Sequence, residues 1–177
     1  MLLTGATGYL GAFLLAELLR SNPVATVTCL VRSSDPDAVR KNCEKYGLSD
    51  VDHSRVVLES GDLSLERLGM TQSDWNRVAS SVDHVVHCGA MVSLTAPYDG
   101  RIRDVNVRGT LEVIRLAAEC GEGTSLVYVS SNGIFPSTSD EVFMENEGIS
   151  CLPDRLDSNN GYGEFYARLH TSLVQGV

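Results

Sequence analysis

Residues 4–11 read Thr4-Gly5-Ala6-Thr7-Gly8-Tyr9-Leu10-Gly11, a G-x-x-G-x-x-G spacing set between an apolar β-type run and an apolar helical run. Few patterns constrain a chain more. Glycine removes the Cβ where a backbone must turn tightly or let a charged group approach the main chain. A helix that begins directly afterwards offers free N–H groups and the positive end of its dipole. Strand, glycine turn and helix in that order form a cradle for a pyrophosphate. Gly5, Thr7, Gly8, Tyr9, Leu10 and Gly11 are therefore candidate cofactor-binding positions. The same pattern explains an N-terminus that is apolar enough to suggest a signal peptide or a membrane helix. The stretch MLLTGATGYLGAFLLAELL lacks a basic leading region, carries Glu17 and is interrupted by Gly5, Gly8 and Gly11. It reads as a buried strand followed by a core helix.

The rest of the chain alternates between the same two kinds of segment. Strands are expected at 1–4, 26–31, 55–59, 83–88 and 125–130. Helices are expected at 12–21 with Gly11 at its start, at 35–46, around Trp75 within 64–80, and at the end of 99–120. Apolar, β-branched strands alternating with helices call for an α/β fold, a doubly wound parallel sheet covered by helices on both faces in three layers. Beyond residue 136 the pattern weakens. Residues 137–160 read as a polar, acidic loop before a last short helix from about 161.

Composition narrows the function. At 177 residues the chain is one domain's worth. Its 14 Lys and Arg against 23 Asp and Glu leave a net charge of −9. Such a chain repels a phosphate backbone, which excludes nucleic acid as the expected partner. Five cysteines (29, 43, 88, 120 and 151) form no CxxC and no Cys/His cluster. Neither a metal site nor a disulfide framework is expected, and the usage suits a reducing cytoplasm. Cys88, Cys120, Met70 and Trp75 read as packing residues.

Three further positions stand where a dinucleotide would be read. Arg32 ends the second strand, where a carboxylate would hold the ribose 2′-OH of NAD. An arginine there suits a 2′-phosphate and favours NADPH over NADH. Asp62, followed by Leu63, comes after the third strand, where a carboxylate can accept from the adenine amino group. His87-Cys88-Gly89-Ala90 ends the fourth strand, and the small residues Gly89 and Ala90 leave room for the cofactor. His87 itself reads as a packed strand residue.

In order along the chain, TGATGYLG, CLVR, GDLSLERLGM, HCGAMVSLTAPYDGRIRDVNVRGTLEVIRLA and YVSS resemble an extended short-chain dehydrogenase/reductase. More narrowly they resemble the thioester-reductase branch: terminal reductases of nonribosomal peptide and polyketide synthases, aminoadipate reductases and carboxylic acid reductases. The resemblance implies a Rossmann-like fold and an NADP(H)-dependent reduction of an acyl thioester carried on the phosphopantetheine arm of a carrier protein. The product is an aldehyde or, after a second round, an alcohol. It also implies catalytic roles. Ser131 matches the hydroxyl that hydrogen-bonds the carbonyl oxygen, Tyr162 the tyrosine that donates a proton, and Asn106 a helix asparagine that orders the site.

The pattern breaks at one point. The family places a lysine four residues after the tyrosine, where its charge lowers the phenol pKa, yet position 166 is Tyr166 and the only lysines are Lys41 and Lys45. Arg168 falls on another helix face. The pair Tyr166 and His170 has the right spacing but abandons the Gly161-Tyr162-Gly163 match. The chain also stops 15 residues after Tyr162, where the family continues into a substrate-binding part. Residues 164–177 are accordingly expected not to be the original continuation. Two other readings follow: a redox-incompetent binding or release module, and an extended reductase or epimerase acting on small carbonyl compounds or sugar nucleotides.

Overall fold

A computed structural model describes residues 1–32, 34–92 and 100–130, and Met1–Val129 form one compact unit. Five strands build its sheet: β1 (Leu2–Thr4), β2 (Val27–Val31), β3 (Val56–Ser60), β4 (His84–His87) and β5 (Ser125–Tyr128). All pairings are parallel and the order is β3-β2-β1-β4-β5. The helices are α1 (Tyr9–Ser21), α2 (Ala38–Lys45), α3 (Gln72–Ser81), α4 (Gly100–Arg103) and α5 (Gly109–Glu119), with a wider π-type turn at Asp104–Arg108 joining the last two.

The core shows why the strands read as unbroken apolar runs. Successive side chains of a strand point to opposite faces, and both faces are covered. Leu2 packs with Trp75, Val78, Val113 and Leu116 beneath α3 and α5. Its neighbour Leu3 packs on the other side with Ala12, Leu15, Leu19 and Val39 of α1 and α2. This is the expected three-layer, doubly wound parallel sheet. The chain winds outward from β1 through β2 to β3, then returns to place β4 on the other side of β1. That reversal opens a crevice at the carboxyl ends of β1 and β4, where such sheets bind ligands.

Several boundaries move. Helix α1 begins at Tyr9 with Gly8 as its N-cap, a turn earlier than the apolar run indicates, so Gly11 lies inside the first turn. Helix α2 begins at Ala38 because Asp35-Pro36-Asp37 forms a turn, in which the Asp35 carboxylate accepts from the Asp37 N–H at 2.9 Å. Trp75 and Met70 are buried as expected, and the indole N–H donates to Glu119 at 2.6 Å. Cys88 and Cys120 are only half-buried. Each follows the last residue of its element, β4 or α5, where the packed layers open.

Candidate cofactor site

A cleft of about 400 Å³ opens at the sheet's switch point, lined by residues at the carboxyl ends of all four strands β1 to β4. Thr4, Gly5, Thr7 and Gly8 come from the glycine turn, Arg32 from the end of β2, Asp62 and Leu63 from the segment after β3, and Gly89 and Ala90 from the segment after β4. Eight of the eleven expected cofactor positions thus meet in one place. The other three, Tyr9, Leu10 and Gly11, form the first turn of α1, where backbone N–H groups have no intrahelical acceptor. The Tyr9 ring turns outward, 5.1 Å from Phe13 and 5.2 Å from Tyr46. Sequence reasoning missed Leu30, Cys88, Met91 and Val105, which also line the cleft but carry no motif of their own.

The three glycines are needed for three different reasons. Gly5 sits at φ +80°, and a Cβ there would come within 2.7 Å of Gly89 N. At Gly11 a Cβ would overlap the carbonyl of Gly5, so this glycine lets the helix pack against the turn. Gly8 has ordinary extended backbone (φ −94°, ψ 174°), and a Cβ would meet only Gly5 O, at 3.2 Å. Little in the protein demands glycine at position 8, but a phosphate lying on the turn would. The residues present therefore fit a dinucleotide.

The segment after β3 is held in an unusual shape. Arg67, Leu68 and Gly69 all have positive φ (49°, 55° and 74°), which is costly for the first two. Compensation comes from burial of Leu68, from the bond of Asp62 N–H to Leu68 O at 2.7 Å, and from the Glu112 carboxylate, which accepts from Arg67 N–H at 2.9 Å. Gly109 lets α5 approach: a Cβ there would lie 2.5 Å from Leu63 O. Asp62 and Leu63 are thereby pressed against the cleft. Burial pushes the Asp62 carboxyl up, but the N–H and hydroxyl of Ser64 and the charge of Arg32 outweigh it and hold the group below its ordinary range. The carboxylate is ready to accept.

Beneath the cleft runs a directed hydrogen-bond chain. The Thr110 hydroxyl donates to Asn106 O at 2.6 Å, so its oxygen accepts from His87 Nε2–H at 2.9 Å. The neutral ring then accepts at Nδ1 from the Thr4 hydroxyl at 2.5 Å, and Thr4 Oγ1 accepts from Gly89 N–H at 3.1 Å. His87 is fully buried and stacks on Tyr128 at 5.5 Å, and burial lowers its pKa to about 4. It is a packed strand residue that ties β1, β4 and α5 together. The Cys88 thiol donates to Thr4 O at 2.9 Å, and burial raises its pKa to about 11, so it is no thiolate nucleophile.

Asn106, in the π-type turn, is buried and grips Met91 by both backbone groups, accepting from its N–H at 2.7 Å and donating to its carbonyl at 2.9 Å. It orders the segment after β4 that lines the cleft. Asn106→Ala should cost about 2 kcal/mol, read as a lower urea midpoint, because both groups of Met91 lose their partner. Ser131 and Tyr162 lie outside the described residues. Among the described residues no group of His, Cys, Asp and Glu could hold a metal, and no helix is long and apolar enough to cross a membrane.

The protein family described as Male sterility protein, NAD_binding_4, matches residues 3–167. The chain belongs to this family. It is 36% identical to the glycine betaine reductase of Emericella nidulans over 174 residues, covering 93% of this chain and 13% of that protein. It is 35% identical to the L-2-aminoadipate reductase of Schizosaccharomyces pombe over 166 residues, covering 91% of this chain and 11% of that one. Among solved structures it is similar to the terminal R domain of the myxalamid PKS-NRPS pathway. There the TM-score is 0.79 at 35% identity, with 96% of this chain and 44% of that one covered. The chain thus spans about an eighth of the first relative and under half of the solved domain. The family match takes in the NAD(P)-binding turn and runs past Gly163.

Proposed function

We propose that this chain is the cofactor-binding portion of an NADPH-dependent reductase that acts on an acyl thioester held by a carrier protein in the cytoplasm. The observation that carries the reading is the meeting of glycine turn, Arg32 and Asp62 around one cleft at the sheet's switch point. Similarity to aminoadipate reductase and to the R domain supports the thioester as substrate class. When bound, the reduced nicotinamide supplies a hydride to the thioester carbonyl carbon. Tyr162 donates a proton to the carbonyl oxygen, Ser131 hydrogen-bonds that oxygen, and loss of the pantetheine thiol leaves an aldehyde. Asn106 acts through Met91 to keep the cleft in shape.

A fluorescence titration of the 177-residue chain with NADPH and NADH tests the reading. Saturable binding is expected, tighter for NADPH. Arg32→Ala should weaken NADPH by about tenfold or more and NADH by less than about twofold, because only the 2′-phosphate loses its partner. Binding of neither nucleotide overturns the reading. A second reading, a redox-incompetent binding or release module, draws on Tyr166 at the position where the family carries lysine. A single-turnover assay on a longer protein that carries this domain together with the substrate-binding part separates the two, because the cofactor-binding portion alone is expected to be incomplete for catalysis. Aldehyde released from an acyl-pantetheine thioester with NADPH supports the first reading, and NADPH binding without release supports the second.

A further inference from the structure

Among the described residues, helix α2 hydrogen-bonds the glycine turn through one side chain. The amide nitrogen of Asn42 donates to Ala6 O at 3.1 Å and to Gly8 O at 2.9 Å. Both partners are carbonyls, so chemistry alone assigns the amide's orientation: the NH₂ faces the turn and both of its hydrogens are engaged. Among the described residues no other side chain hydrogen-bonds a carbonyl between Gly5 and Gly8. In a trans peptide the C=O and the following N–H point in opposite directions. Anchoring the carbonyls of Ala6 and Gly8 on α2 therefore aims the N–H groups of Thr7 and Tyr9 away from α2. Thr7 and Gly8 line the cleft.

We propose that Asn42 is a positioning residue of the phosphate turn, holding two peptide planes so that their N–H groups are preset for the pyrophosphate of the dinucleotide. This rests on the cofactor reading above and adds to it a residue from outside the glycine motif. Asn42 also lines a second cleft with Arg32, Lys41 and Lys45, the chain's only lysines, beside the place where a 2′-phosphate would lie. A direct contact to that phosphate is the rival role. It conflicts with the geometry, because Asn42 has no donor left to give. The two roles differ in what they predict. Positioning weakens every ligand that carries a pyrophosphate by the same factor, whereas direct contact weakens only those with a 2′-phosphate.

The test is a set of titrations of the full 177-residue chain and its Asn42→Ala and Asn42→Leu variants with NADPH, NADH and adenosine 2′-monophosphate, well below each variant's Tm. Leucine keeps the volume and removes the donors, which guards against a loss due to packing alone. The expected result is a loss of about fivefold for both dinucleotides, from two hydrogen bonds that preset the turn, with the monophosphate unchanged. A larger loss for NADPH than for NADH, together with weaker monophosphate binding, overturns the proposal in favour of direct contact. A lower Tm with all three affinities unchanged also overturns it and leaves Asn42 a purely structural role. Binding of neither dinucleotide by the unsubstituted chain overturns the cofactor reading itself, and this inference with it. Normal binding by the chain and both variants overturns only the inference.

Discussion

Gly5→Ala is expected to lower the unfolding free energy by about 2–4 kcal/mol and to weaken NADPH binding by more than about a hundredfold. Two costs combine. The residue sits at φ +80°, where a side chain crowds the following carbonyl. Its Cβ would also lie 2.7 Å from Gly89 N and 2.9 Å from Cys88 C and Gly89 Cα. All three are backbone atoms, so no side chain can rotate to make room. Relief comes only if β1 and β4 spread at their carboxyl ends, which opens the floor of the cleft. Urea unfolding reads the stability and a fluorescence titration reads the affinity. Gly8→Ala is the informative contrast, because its backbone is extended and a Cβ meets one atom at 3.2 Å. Stability should change by less than about 1 kcal/mol while NADPH affinity still falls by about tenfold or more. An unchanged affinity in Gly8→Ala would mean that nothing lies close against the turn.

Lowering the pH should remove about 3 kcal/mol of stability through His87 alone. The imidazole accepts at Nδ1 from Thr4 and donates at Nε2 to Thr110, and protonation destroys the acceptor. Burial depresses the folded-state pKa from the ordinary 6.5 to about 4. Below pH 6.5 the unfolded chain takes up a proton that the folded chain refuses. The contribution is therefore complete above about pH 6.5, declines as the pH falls from there to about 4, and is gone below that. Carboxylates add their own acid sensitivity, so the measurement is a difference. Urea midpoints of the chain and of His87→Gln are followed from pH 7.5 to 4, in roughly half-unit steps. The gap between them should be widest near neutrality and close toward pH 4. A gap that stays constant would mean that His87 is accessible to protons in the folded state.

How far the sequence could be read depended on how far apart the interacting residues lie. The glycine turn was legible because strand, turn and helix are contiguous and Gly5, Gly8 and Gly11 fall within eight residues, although the backbone of Gly89 that crowds Gly5 was not. Alternation of apolar strands with helices was enough to give five parallel strands in three layers, since only covered sheets tolerate unbroken runs such as TVTCLV. Arg32, Asp62, Gly89 and Ala90 could be named because each follows a strand, and strand ends meet at the switch point of such a fold. Helix starts were less legible. Helix α1 begins at Tyr9 because the cap is a backbone geometry at Gly8, which no side-chain pattern announces.

By itself, then, the sequence determined the layered parallel fold and the family of nucleotide-binding turns to which residues 4–11 belong, because those follow from local periodicity and from the absence of a Cβ. Only the tertiary structure decided which polar groups hold the site together. Asn42 reaches a turn 34 residues earlier, Glu112 caps a left-handed loop 45 residues away, and Thr4 meets His87 across 83. A hydrogen bond needs its partners within about 3 Å, and nothing in local spacing says which distant segments the sheet order will bring that close.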